Sequence, residues 1–292
     1  MKSQSVDSVS PNKGEGPLHI GIIAGSGSLP LALAETLRRR GDTPYLLLIE
    51  KEANPAHYAD FPHEVIRITK VGAFLKALRR EGCTSVTLAG PVRRPDFKNL
   101  LPDMEGMKLL GRIAAASRKG DDGLMRAITG FLAEKGFQVI GAHELVEELL
   151  APLGQLGRIA PTETDEKDIA EGMRIVRAVG ALDIGQGAII REGYVLAVEA
   201  AEGTDRLLQR TAEFAWDKPA GVFVKLSKPG QELKADMPTL GPETVILAAE
   251  ANLRGIAMEA GRTLIVNLDE TVQYADKKGI FLVGVRPKDE GK

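Results

Sequence analysis

The chain has 292 residues, 43% of them hydrophobic and 27% charged, which suits a globular protein of about two domains. Its 38 basic and 40 acidic residues leave a formal charge of −2, so it lacks the broad basic face that a nucleic-acid partner demands. No apolar run reaches the ~18 residues of a membrane span; the single cysteine, Cys83, rules out an internal disulfide and fits a reducing compartment.

Residues 1–17 have no apolar signal core and read as a disordered leader. From residue 18 to about 141, strand and helix patterns alternate. Residues 18–24 form a nearly all-apolar run ending at glycine, a buried strand. Residues 31–40 have helical spacing and stop at Gly41. Further strands are expected at 44–49, 65–68, 85–89 and 137–140, with helices at 71–81, 106–117 and 123–135. Repeated βα units imply a mainly parallel sheet in a domain spanning 18–145. Residues 146–167, rich in Gly, Pro and Thr towards the end, read as a linker. A second α/β domain is expected over 168–286. Its helices fall at 168–179, 204–214 and 244–251, and its strands at 187–190, 194–199, 221–226, 255–258, 263–266 and 280–285.

Three N-terminal motifs could carry chemistry. Gly25-Ser26-Gly27-Ser28-Leu29-Pro30 follows the first strand, where a glycine turn exposes backbone N–H groups at a helix start. It begins like the dinucleotide fingerprint G-x-G-x-x-G, but Pro30 replaces the third glycine; Glu50 and Glu52 stand where a ribose-binding acid would follow. A plain βα turn is an equal reading. Gly90-Pro91-Val92-Arg93-Arg94 follows a strand whose carboxyl end should face a ligand crevice, and either arginine could pair with phosphate or remain solvated. Lys119-Gly120-Asp121-Asp122 precedes a helix; its carboxylates serve as caps or meet a polar ligand.

In the C-terminal half, Asp183-Ile184-Gly185-Gln186-Gly187 precedes a strand and residues 199–205 follow one, with Thr204 or Asp205 placed to cap the next helix. The densest polar loop runs from Lys225 through Lys228 and Gln231 to Asp236 and Thr239. Cleaving a pyrophosphate needs cations to hold phosphoryl oxygens and a carboxylate to bind metal or orient water, and Lys225, Lys228 and Asp236 have those chemistries. Solvated loop charges are the plainer reading of each. The four histidines are dispersed, and no H-E-x-x-H, C-x-x-C, Walker A, G-x-S-x-G or calcineurin-type motif occurs.

Taken together, these motifs resemble the UDP-2,3-diacylglucosamine pyrophosphatases of the lipid A pathway, of the type unrelated to calcineurin-like phosphoesterases. The resemblance runs from about residue 18 to 285 and includes Gly141-Ala142-His143-Glu144, Glu202-Gly203-Thr204-Asp205 and Asp236-Met237-Pro238-Thr239-Leu240-Gly241. It implies a Rossmann-like N-terminal domain, a distinct catalytic C-terminal domain, and hydrolysis to UMP and 2,3-diacylglucosamine 1-phosphate (lipid X) by water attacking the β-phosphorus. A divalent cation, Mg²⁺, would assist. The family's essential aspartate falls on Asp236, as catalytic group and metal ligand; Met237 and Leu240 replace its usual Leu and Ile.

On that resemblance, the substrate-binding residues would be Gly25, Ser26, Gly27, Leu29, Gly90, Arg93, Lys119, Gly120, Asp121, Asp122, Gln186, Thr204, Lys225, Lys228, Gln231 and Thr239. The lipid would lie in an interdomain groove. The protein would be cytoplasmic, peripheral to the inner membrane, and a possible homodimer. Two other readings remain at this point: a nicotinamide-dependent oxidoreductase, from the first turn, and a non-catalytic lipid-binding protein.

Overall fold

The computed structural model describes residues 17–93, 101–116, 120–214, 216–229 and 237–287, with the backbone alone for 120–122. The N-terminal half runs β1 (His19–Ala24), α1 (Leu29–Arg39), β2 (Thr43–Ile49), β3 (His63–Ile66), α2 (Val71–Arg80), β4 (Ser85–Ala89), α3 (Met104–Ala116), α4 (Gly120–Glu134), β5 (Gln138–Val139) and α5 (Ala142–Leu145). Among the described residues these strands form one parallel sheet in the order β3-β2-β1-β4-β5. The chain therefore winds outward in both directions from the β1/β4 pair, the switch point at which open α/β sheets bind ligands.

The apolar runs explain the layers. β1 and β2 are buried on both faces, as continuous apolar strands of parallel sheets are. One face packs on α1 and α5 through Ile20, Ile22, Leu33, Leu37, Leu46 and Leu48. The other carries α2 and α4 through Leu47, Phe74, Leu78, Val86 and Phe131. Gly21 sits inside β1 because any Cβ there would collide with the Leu78 side chain; the glycine admits the close approach of α2.

The second half contains β6 (Gly154–Leu156), α6 (Glu163–Ala181), β7 (Gly187–Arg191), β8 (Tyr194–Val198), α7 (Thr204–Ala212), β9 (Val222–Lys225), β10 (Thr239–Leu240), α8 (Pro242–Glu250), β11 (Gly255–Glu259), β12 (Leu264–Ile265), α9 (Leu268–Lys278) and β13 (Phe281–Val285). Its main sheet has the order β6-β13-β11-β9-β7-β8 and is mixed: β9, β11 and β13 run parallel, while β6, β7 and β8 join antiparallel. β10 and β12 pair separately.

The stretch read as a linker is partly built into this domain. Residues 154–156 pair with β13, and α6 starts at Glu163. Its start is fixed by a capping box in which the Asp165 carboxylate accepts from Thr162 N–H and Oγ1, at 2.8 and 2.7 Å. Arg254 also bonds Asp165 at 3.1 Å. The box lies inside a Pro/Thr-rich run, which is why composition alone marked it as loop.

The two halves share a core. Met237, Leu264 and Val266 pack with Leu29, Ala32, Ile140 and Val146, and the Ala151 N–H bonds Thr263 O at 2.8 Å. No helix among the described residues is long and apolar enough to cross a membrane.

Candidate active site

The loops after β1 and β4 are laced together. Gly25 N–H donates to Ala89 O, Ser26 N–H to Pro91 O, and Ser26 Oγ also to Pro91 O, at 2.8, 2.8 and 2.9 Å. A Cβ on Gly25 would strike the Gly90 and Pro91 carbonyls, and one on Gly90 the Ser26 carbonyl. Gly90 also holds φ +81°, a left-handed backbone that glycine adopts without strain. The result leaves residues 26–29 at the start of α1, with no side chain capping that end and no acidic residue in its first turn. Helix starts of this kind favour anions.

Across the gap, the C-terminal sheet contributes the start of β7 and the ends of β8 and β9. Gly187 stands opposite Lys225 in register, Leu226 N–H donates to Gln186 O at 3.0 Å, and Glu199 N–H donates to Gly187 O at 2.8 Å. Lys225 is only 4% exposed. Its ammonium donates to Thr204 Oγ1 at 2.8 Å and Thr239 O at 3.1 Å. The Thr204 hydroxyl donates onward to Glu199 Oε1 at 3.3 Å. Two of the three Lys225 donors are thus spent on the protein, leaving one for a ligand. Gly203, at φ +79°, begins α7, and Gly241 begins α8. Neither Thr204 nor Asp205 is the N-cap expected for α7; both lie in its first turn.

These pieces face one cavity of about 1070 Å³ between the halves. Ser26, Gly27, Leu29, Gly90, Arg93, Gln186, Thr204, Lys225 and Thr239 all line it, so the structure gathers most of the expected substrate-binding residues at one place. Gly25 stands just behind, holding the turn. Arg93 reaches Glu52 at 3.2 Å and Lys51 O at 3.0 Å. Lys228 is not among the lining residues; it bonds Asp183 at 2.6 Å. Lys119, Gln231 and Asp236 lie outside the described residues. Gly120, Asp121 and Asp122 open α4. Met237, which follows Asp236 in the chain, is buried and lines the cavity.

Residues outside the expected set complete the wall. Glu199, Glu202, Asp205, Glu243 and Thr244 are at the polar end. Burial works against the charged form of Glu202, but its backbone hydrogen bonds and Arg210, at 3.0 Å, hold its carboxyl below the usual range. The signal for these residues is positional: they lie just after β8 or in the first turns of α7 and α8, the places where α/β domains put ligand groups.

The rest of the cavity is apolar and runs into the N-terminal domain. Ile23, Ile49 and Leu88, on the last rungs of the sheet, form one wall. Phe74 of α2, Leu110 and Ile113 of α3, and Leu124, Ile128 and Phe131 of α4 form the others. One end thus offers an ammonium and helix starts, and the other an apolar chamber.

Two α/β domains whose polar rim opens into an apolar chamber form a cavity with the two-sided chemistry of an amphiphile site. Residues 19–149 match the LpxI N-terminal domain and residues 152–283 the LpxI C-terminal domain. The chain is 41% identical over 276 residues to the UDP-2,3-diacylglucosamine pyrophosphatase LpxI of Caulobacter vibrioides, covering 92% of this chain and 98% of that protein. The chain belongs to the LpxI family.

Proposed function

We propose that this chain hydrolyses the pyrophosphate of UDP-2,3-diacylglucosamine to UMP and 2,3-diacylglucosamine 1-phosphate, the lipid A pathway step for which its relative is named. The observation that carries the reading is the two-ended cavity, whose polar rim and apolar chamber match a diphosphate joined to acyl chains. The diphosphate sits at the rim. Lys225 gives its remaining N–H to a phosphoryl oxygen, and the starts of α1, α7 and α8 supply backbone donors and dipole. The acyl chains enter the chamber beneath α3.

Water adds to phosphorus, the anhydride P–O bond breaks, and UMP departs. The charge that grows on the phosphoryl oxygens is met by Lys225 and the helix starts. Asp236, which the resemblance matches to the family's essential aspartate, would orient the water and take its proton in this reading.

Carboxylate oxygens at the rim, from Glu199, Asp205 and Glu243, suit a hard divalent cation. No three such groups cluster among the described residues. A cation there would be held by a rim carboxylate with the diphosphate and water, a sparse protein set of the kind Mg²⁺ accepts, and Asp236 joins that set on the family resemblance alone. When bound it supplies charge neutralisation to the diphosphate. A cytoplasmic position at the inner membrane follows from a nucleotide joined to a lipid, and the single cysteine fits a reducing compartment.

The oxidoreductase reading loses its ribose ligand: Glu50 is bound to Arg67 and Glu52 to Arg93, at 3.1 and 3.2 Å. The test is UMP release from UDP-2,3-diacylglucosamine, with and without EDTA. We expect release that EDTA abolishes and added Mg²⁺ restores. Release unaffected by EDTA would remove the cation from the reading, and thermal protection by NAD(P) would revive the oxidoreductase.

A further inference from the structure

Helix α3 is apolar on two sides. Its inner residues Gly106, Leu109, Leu110 and Ile113 line the acyl chamber. Outside, Leu101 just before the helix and Met104 and Met107 on it are 76%, 74% and 64% exposed, and the exposed Gly111 and Ala115 extend the stripe at helical spacing. A surface helix ordinarily turns a polar face outward, and large adjacent apolar side chains are seldom left to water. Glu105 and Arg112 of α3 turn to Lys135 and Glu134 at the end of α4, and Lys108, exposed at the edge of the stripe, pairs with Glu105.

We propose that this outer stripe docks on the acyl region of a membrane leaflet and holds the chamber beside the bilayer. The inference rests on the lipid reading of the cavity. Continuity argues for a leaflet as the occupant. One helix, about 10 Å thick, separates the exposed stripe from the chamber, so an acyl chain passing alongside α3 exchanges one apolar surround for another. Methionines suit a fluid partner because they adapt their shape. Three large side chains give shallow, reversible insertion, as in interfacial helices.

The test uses the full chain and vesicles of phosphatidylethanolamine and phosphatidylglycerol, comparing it with Met104→Asp/Met107→Asp. Neither methionine lines the cavity. We expect co-sedimentation with vesicles to fall about tenfold, the ratio set by about 1.4 kcal/mol. Hydrolysis of vesicle-embedded substrate should fall with it, while hydrolysis of detergent-dispersed substrate stays unchanged. Met104→Gln/Met107→Gln serves if the charged variant misfolds, with a smaller loss in the same direction. Equal vesicle binding by wild type and variant overturns the proposal, as does a wild type that ignores vesicles. A variant that turns a dimer into monomers with vesicle binding intact assigns the stripe to a second copy instead. Absence of hydrolysis even in detergent strikes the functional reading, whereas the vesicle comparison reports on the stripe alone.

Discussion

The Lys225 ammonium lies 2.8 Å from Thr204 Oγ1 and joins the end of β9 to the first turn of α7. Because the threonine accepts from lysine, its own proton points to Glu199, 3.3 Å away. The chain Lys225–Thr204–Glu199 fixes a buried cation at the rim of an otherwise apolar chamber. Lys225→Met should lower kcat by about 10²–10³-fold, the usual loss when one donor to developing charge is removed. Thr204→Val leaves the ammonium with Thr239 O as its remaining protein partner, which should cost about 1–3 kcal/mol of stability and a smaller loss of kcat than Lys225→Met. Steady-state kinetics and thermal melts of both variants check this; a Lys225→Met enzyme of normal kcat would remove the lysine from the chemistry.

Gly90 is required by its backbone. At φ +81°, with the Ser26 carbonyl where a Cβ would stand, Gly90→Ala must push the β1 and β4 loops apart. The left-handed backbone alone costs about 1–2 kcal/mol. We expect a lower Tm and a KM that rises more than kcat falls, since the start of α1 would shift. An unchanged melt and unchanged kinetics would show that the two loops are not interlocked.

The chamber beneath α3 should respond to volume. Ile128 of α4 lines it and is partly buried. Ile128→Trp would fill space meant for acyl chain, so KM should rise severalfold for a long-chain substrate and little for a short-chain analogue. Equal effects on both would place the chains elsewhere.

On the same face of the N-terminal sheet, towards the start of β2, Arg80 lies 2.7 Å from Glu64, whose other neighbour is the Tyr45 hydroxyl at 2.9 Å. Arg80 holds the Glu64 carboxyl below its usual range, and burial followed by Glu64 pushes Tyr45 up to about 12. A lowered carboxyl stabilises the fold above its unfolded value, 4.5, and that contribution disappears as pH falls through the folded value. Glu64→Gln should therefore lower Tm only slightly at pH 7, because so exposed a pair is screened by solvent. The difference from wild type should vanish at low pH. A difference that persists undiminished at low pH would assign the effect to packing.

Much of this is legible in the sequence. β1 and β2 show as nearly all-apolar runs and β4 as a short strand running into Gly90-Pro91, so glycine turns mark the switch point. Lys225, Thr204, Gln186 and Thr239 were found as polar residues in loops at strand ends. Lys228, in the same loop, was read the same way, yet it turns to Asp183; the sequence of a loop does not reveal the direction of its side chains. Helix α9 escaped notice because its buried positions, Thr271 and Ala275, are weakly apolar. The apolar chamber is contributed by separate helices of the first domain, a convergence that no local pattern announces. Asp236 rests on the family resemblance.

The most direct test of the account is product analysis after incubating the protein with UDP-2,3-diacylglucosamine and Mg²⁺, beside Asp236→Ala. The account predicts UMP and 2,3-diacylglucosamine 1-phosphate in equal amounts from wild type, and from the variant almost no turnover with substrate binding retained. Release of UDP with free diacylglucosamine, or of no nucleotide at all, would contradict it.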